Sequence, residues 1–311
     1  MLRLRTPLRP SWVALLRLLD SILRERQIRY LLAGGNAREI LLVHVHGCQP
    51  GRVTTDLDFG VIVSDWAQFQ ALKDALNATG HFEAVPSAAQ RMIYSAPGPR
   101  VAVDIVPFGG VARPDGTLAW PPDGSTVMHV LGFEQAASCA LTLAIDEDLM
   151  VPIASAEGLV MLKFVAWADN GPARDGKDAV DLFTVLRDYG EVLGLDALYD
   201  DHAQVMEAHE FDDRRAAAEV LGERVARQLD PRMRELIRAQ LEPAAREKLL
   251  VNMVHGQHAI DLDRADQLLA AFEKGLGDLR PEIQPPKSKD VRGATERMMT
   301  IHDETLKKLA G

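Results

Sequence analysis

Apolar residues recur at three- and four-residue spacing from Trp12 through Leu15, Leu16, Leu19, Ile22 and Leu23, which predicts an amphipathic helix over 11–26 with Ser11 as its N-cap. Residues 28–33 (IRYLLA) form a short apolar run stopped by Gly34-Gly35, and 36–43 return to helical spacing. A strand, a glycine turn and a helix are therefore predicted in that order. The Gly, Pro and Gln content of 44–52 (HVHGCQPGR) predicts a loop. Residues 54–63 (TTDLDFGVIV) alternate and then run apolar, as a buried strand does. Ser64 is placed to cap a helix reaching Ala78, with Phe69, Leu72 and Leu76 on one face. A further strand is predicted at 100–108 (RVAVDIVPF), followed by a Pro-, Gly- and Asp-rich loop over 111–126.

Downstream, 149–155 reads as extended, and Ser155 followed by Glu157 opens a helix reaching about 169. Residues 170–176 break it and 177–190 form a second helix. Beyond 190 the pattern is helical, interrupted at Pro231 and Pro243, with a linker at 279–290 and a terminal helix over 291–309. The order of elements predicts an α/β first half followed by an all-helical second half.

Composition narrows the class. The 311 residues carry 35 basic and 45 acidic side chains, a net charge of -10, and only two cysteines, Cys48 and Cys139. That excludes a disulfide framework and points to a reducing, cytoplasmic setting. Arginines at 17, 24 and 26 interrupt every amino-terminal stretch that could serve as a signal or a span, so no membrane segment is predicted. Residues 1–29 hold seven arginines against Asp20 and Glu25, a local +5 that leaves -15 on the remainder. A polyanion would have to bind a local patch, because the total charge opposes it.

Candidate chemistry lies in the strands. Three D-x-D tripeptides occur (Asp56/Asp58, Asp146/Asp148, Asp261/Asp263), but only the first heads a buried strand. Alternation places residues 56 and 58 on one face, about 7 Å apart along the chain. Asp104, between Val103 and Ile105 on the second strand, needs a cation, strong hydrogen bonds or an exposed strand end to offset burial. If the strands are neighbours, three hard carboxylate ligands converge in a way suited to Mg²⁺ or Mn²⁺. Gly34-Gly35, between strand and helix, would let backbone approach a phosphate beside a helix N-terminus. Together these parts describe a site for a nucleoside triphosphate (NTP) and its metals. The alternative is strand-end aspartates in turns and a glycine turn of structural use only.

The series Gly34-Gly35-Asn36-Ala37, Arg52-x-Thr54-x-Asp56-Leu-Asp58-Phe59, Val103-Asp104-Ile105, Lys163 and Arg174-Asp-Gly-Lys177-Asp178-Ala-Val-Asp181 resembles the AbiEii/MenT-type nucleotidyltransferases of the DNA polymerase β-like superfamily. Many of those are toxins of toxin–antitoxin pairs. The resemblance spans about 31–182, and 211–229 is similar to their helical tail. It implies an α+β fold: a small mixed nucleotidyltransferase sheet flanked by helices in a core over 1–155, an all-helical C-terminal domain over 156–278 completing the nucleotide site, and a linker and terminal helix over 279–311. It also implies that Asp56, Asp58 and Asp104 hold the metals and that Asp104 acts as, or positions, the base. Gly34 and Gly35 would hold the triphosphate and Lys163 would neutralise it, with Asn36, Arg52 and Thr54 among the residues that bind the nucleotide. Lys177, Asp178 and Asp181 would line the base or ribose side or pair with that lysine. Two departures stand out. Asn36 replaces a frequent serine, and 20 residues separate Gly35 from Asp56.

The implied reaction is metal-dependent transfer of a nucleoside monophosphate (NMP) from an NTP to a hydroxyl, with pyrophosphate release. The acceptor would be an RNA end such as tRNA, and a cognate antitoxin would be the partner. Transfer to a small, antibiotic-like molecule and a non-catalytic nucleotide-binding scaffold are the competing readings. Other motifs are weak. Asp58-Phe59-Gly60 lacks the rest of a kinase signature. His44, His46 and Cys48 offer three zinc ligands at most. His255/His258 and His302-Asp303 have no helical zinc motif around them.

Overall fold

A computed structural model describes residues 1–95, 98–171, 176–256 and 261–279, and places an eight-stranded mixed sheet at the centre. Its strands are β1 (Leu2–Arg3), β2 (Tyr30–Ala33), β3 (Leu57–Val63), β4 (Phe82–Ala84), β5 (Arg91–Tyr94) and β6 (Val101–Gly109). After a two-stranded ribbon of β7 (Thr117–Ala119) and β8 (Val127–His129) come β9 (Leu141–Ala144) and β10 (Met150–Ile153). The order across the sheet is β1-β9-β10-β2-β3-β6-β5-β4.

Strand β3 runs antiparallel to β2 and parallel to β6, and β6 runs antiparallel to β5. The register puts Ala33 opposite Asp58, Asp58 opposite Asp104, and Asp104 opposite Arg91. One row across four strands thus reads Ala33, Asp58, Asp104, Arg91, with side chains on one face. The other face of β3 and β6 is fully apolar: Leu57, Phe59, Val61, Val103 and Ile105 are buried. Gly60 lets α4 (Phe133–Ser138) close over the acidic face further along, since a Cβ there would meet Phe133 at 2.7 Å.

Local signals account for most helix starts, with instructive exceptions. Helix α1 (Pro10–Glu25) begins at Pro10 with Arg9 as N-cap, so Ser11 lies inside the helix. The fixed φ of proline suits the first helical position. Helix α2 (Gly34–Glu39) starts at the glycines themselves and continues as a π-helical segment, Ile40–Val45, so His44 and Val45 belong to a helix and not to the expected loop. For α3 (Trp66–Ala78) the cap is Asp65, whose carboxylate accepts from the Gln68 N–H at 2.8 Å, while Ser64 bonds the Gln68 side chain. A carboxylate at that point also meets the positive end of the helix dipole.

Ser155 caps α5 (Ala156–Asn170) as expected, accepting from the Gly158 N–H at 3.2 Å. The remaining helices are α6 (Lys177–Leu193), α7 (Leu195–Asp201), α8 (Ala203–Ala208), α9 (Asp213–Ala226), α10 (Pro231–Leu241), α11 (Pro243–Met253) and α12 (Leu262–Leu276). Pro231 and Pro243 open helices as much as they break them. Helices α9 and α12 cross at glycine: a Cβ on Gly275 would lie 1.9 Å from the Glu219 carbonyl oxygen. No helix among the described residues is long and apolar enough to cross a membrane. The chain is a mixed sheet flanked by helices and followed by helices. The predicted terminal helix and all but the first residue of the linker lie outside the described residues.

Candidate active site

The site grows from the row of the sheet described above. Asp56 stands just ahead of β3, Asp58 is its second residue, and Asp104 sits on β6. Carboxylate oxygens of all three lie within 4.8 Å of one another, and theirs is the only such cluster of metal-binding groups among the described residues. Burial, followed by the negative charges of Asp56 and Asp104, pushes the Asp58 carboxyl up to about 7, against a smaller opposing pull from Lys163 and Lys177. Asp58 itself forms no ion pair with a described residue, unlike Asp56 and Asp104.

The glycine turn is shaped around these acids. Gly34 has φ +72°, and a Cβ on it would fall 1.9 Å from Oδ2 of Asp58. A Cβ on Gly35 would fall 2.6 Å from Oγ1 of Thr54. Only glycine lets the backbone lie this close to the carboxylates. No side chain caps the N-terminus of α2, so its leading N–H groups are left without side-chain partners. Thr54 is buried with its Oγ1 unbonded, yet it borders an open cavity. Asn36 is fully buried and donates from Nδ2 to the carbonyl oxygen of Asp56, which fixes the backbone that presents this carboxylate.

A second set of charges ties the helical half to the sheet. Lys163 on α5 donates to Asp178 at 2.8 Å and pairs with Asp181 at 2.6 Å, both on α6. Desolvation would lower this ammonium, but Asp181 and Asp178 outweigh it and hold Lys163 above the usual lysine value. Arg52 grips Asp181 through two 3.0 Å bonds, from Nε and Nη2, and buried Arg38 approaches the same carboxylate at 3.5 Å. Burial alone would raise Asp181. Lys163, Arg38 and Arg52 together bring it down to about 2.

Two cavities open around these groups. One of about 440 Å³ is lined by the three aspartates with Gly35, Thr54 and Arg52. The other, about 820 Å³, is bordered by Gly34, Trp120, His129 and Phe133, a size suited to a nucleotide. Asp58, Lys163 and Lys177 border both. Asp178 borders the larger, whereas Asn36 and Asp181 border neither and act by holding other residues. Lys177 forms no ion pair with a described residue, and Arg174 lies outside the described residues.

Sequence reasoning missed Arg91, which hydrogen-bonds both Asp104 and Asp56. Its signal was the short alternation Arg-Met-Ile-Tyr, with Met92 and Tyr94 buried. Arg38, inside the first helical turns after the glycines, was missed as well. The other motifs have structural uses. Asp146 accepts from Leu149 N–H in a turn, and Asp261 caps α12. His44 bonds Thr6, His46 bonds the Glu191 carbonyl, and burial first, then nearby acids, pushes the Cys48 thiol up to about 11. His258, His302 and Asp303 lie outside the described residues.

Among solved structures, the chain is similar to an antigenic nucleotidyltransferase-like protein from Paracoccidioides brasiliensis, at 18% identity and a TM-score of 0.39, over 66% of this chain and 95% of that one. It is similar to ANT(2″)-Ia in complex with adenylyl-2″-tobramycin at 16% identity and a TM-score of 0.37, over 64% and 99%. A third is the CdnE cyclic dinucleotide synthase of Elizabethkingia meningoseptica with GTP and Apcpp, at 11% and 0.27, over 86% and 92%. No curated protein matches the chain. The family model described as "Nucleotidyl transferase AbiEii toxin, Type IV TA system" matches residues 17–271, and the chain belongs to this family of nucleotidyltransferases.

Proposed function

We propose that this enzyme moves an NMP from an NTP to a hydroxyl acceptor, releasing pyrophosphate, with Mg²⁺ or Mn²⁺ held by Asp56, Asp58 and Asp104. The observation that carries the reading is the meeting of three carboxylates within 4.8 Å in the lining of a cavity that Arg52, Lys163 and Lys177 line as well. The donors fit a hard divalent cation: all are oxygens, and the charge around Asp58 calls for a positive partner. A bound ion would supply charge neutralisation and polarisation at the transferred phosphoryl group.

The chain's own residues divide the remaining work. Gly34 and Gly35 admit the triphosphate close to the backbone, and Thr54 Oγ1 offers it an unused hydroxyl. Lys163, fixed by Asp178 and Asp181, and Lys177 place positive charge where pyrophosphate leaves. Asp104 takes the proton of the acceptor hydroxyl or orients it, as the new O–P bond forms at the α-phosphorus and the bond to the β-phosphate bridging oxygen breaks. The toxin–antitoxin description of the family supports a cognate antitoxin as partner; an RNA end such as tRNA as acceptor and a cytoplasmic setting complete the proposal.

Purified protein incubated with each α-labelled NTP, Mg²⁺ or Mn²⁺, and total RNA tests this. Label should enter an RNA band, and Asp56→Ala should abolish it. Label in a small product with untouched RNA would replace RNA by a small hydroxylated acceptor. Absence of transfer under all conditions, or equal transfer by Asp56→Ala, overturns the reading.

A further inference from the structure

Arg91 takes up both oxygens of Asp104: Nε donates to Oδ1 and Nη2 to Oδ2, each at 2.7 Å. Nη2 also donates to Oδ2 of Asp56 at 3.2 Å. Asp58, next to Asp104 in the same sheet row, is not among its hydrogen-bond partners. A single guanidinium therefore bridges two of the three carboxylates. The Arg91 side chain is 36% exposed and borders the same cavity, so it can withdraw without unpacking the core. The packing of β5 depends instead on Met92 and Tyr94, which are buried.

We propose that Arg91 is an internal counter-cation of the metal site: it holds Asp56 and Asp104 while no divalent ion is bound, and it must release them for one to bind. The inference rests on the metal-binding reading of the three aspartates. A guanidinium fork matches a carboxylate edge, and this pairing satisfies charges that would otherwise repel one another in a half-buried row. A divalent ion needs those same oxygens and repels a cation already on them. While both Asp104 oxygens accept from Arg91, that carboxylate is also poorly free to take a proton. Withdrawal of Arg91 thus links arrival of the ion to availability of the base. Arg91 is a positioning residue in this scheme and lowers metal affinity in the resting protein.

The test is Mn²⁺ titration of the full-length, nucleotide-free protein, with free Mn²⁺ read by electron paramagnetic resonance and folding checked by circular dichroism. Arg91→Gln should bind Mn²⁺ at least about tenfold more tightly than wild type. Arg91→Lys, which keeps a charge without the fork, should fall between them and supplies the comparison if the glutamine variant does not fold. With EDTA, Arg91→Gln should melt below wild type and recover on adding Mn²⁺. Equal or weaker binding by the Arg91 variants, with binding lost in Asp56→Asn, overturns the role of Arg91 and leaves the metal reading standing. No binding by any of the proteins overturns both.

Discussion

Gly34 and Asp58 touch where a side chain would have to be: a Cβ on Gly34 would lie 1.9 Å from Oδ2 of Asp58, and the Gly34 φ is +72°. Gly34→Ala meets two obstacles, a left-handed backbone that costs about 1–2 kcal/mol for other residues and a carboxylate that must move. Transfer should fall at least about a hundredfold, as displacement of reacting groups by about 1 Å can do. Steady-state kinetics with the preferred NTP checks this, and near-normal turnover would show that Asp58 does not need its present position.

Asp58 also predicts how the metal-free protein responds to pH. Its folded carboxyl titrates at about 7, while the unfolded one does so near 3.9. Between those values the folded protein keeps a proton that the unfolded chain has lost, so this group's contribution to stability declines as pH rises from about 4 to about 7 and stays low above. In EDTA, Asp58→Asn should therefore melt above wild type at pH 8 and level with it near pH 4. Added Mn²⁺ should raise the wild-type melting temperature at pH 8 and do less for the variant. Differential scanning fluorimetry reads both, and a variant less stable than wild type at pH 8 would contradict the charge balance.

Asp181 behaves with the opposite sign. Held at about 2 by its cations, it supports the fold above the unfolded value near 3.9 and loses that support as pH falls through about 2. Asp181→Asn leaves Lys163, Arg38 and Arg52 short of their shared anion, and breaking such a buried cluster costs about 3–5 kcal/mol. Urea unfolding at pH 7 should show that loss, with the gap to wild type narrowing toward pH 2.

Lys163→Met separates charge at the site from charge in the scaffold. Asp181 keeps Arg38 and Arg52 in this variant, so the stability loss should be smaller than for Asp181→Asn. The rate constant of transfer should nonetheless drop by about a hundredfold or more, the scale seen when one preorganised electrostatic donor is removed. Single-turnover measurements distinguish the two effects. An unchanged rate would make Lys163 a structural ion-pair member only.

Asp58 and Asp104 were legible because each is a lone carboxylate in a largely apolar strand, Leu57–Val63 and Val101–Gly109, and Asp56 because it immediately precedes the first of these. The glycine turn was legible because it is bounded by an apolar run on one side and helical spacing on the other. Arg91 was not, because a four-residue strand gives too little periodicity, and its role comes from a register that only the folded sheet sets. Asn36 carried a nucleotide-binding expectation by position; its Nδ2 donates to the Asp56 carbonyl oxygen and its Oδ1 is left without a partner, a detail only the folded turn sets. The pairing of Arg52 with Asp181 spans 129 positions, beyond the reach of local pattern.

That long-range pairing has a bearing on how the enzyme is made. A nascent chain that has emerged only through β10 has Arg38 and Arg52 in place without the carboxylate that orders them, and it still lacks both lysines of the cavity. The residues through β10 consequently carry the three aspartates without Lys163 and Lys177, and the charges lining the cavity are complete only once translation has passed α6.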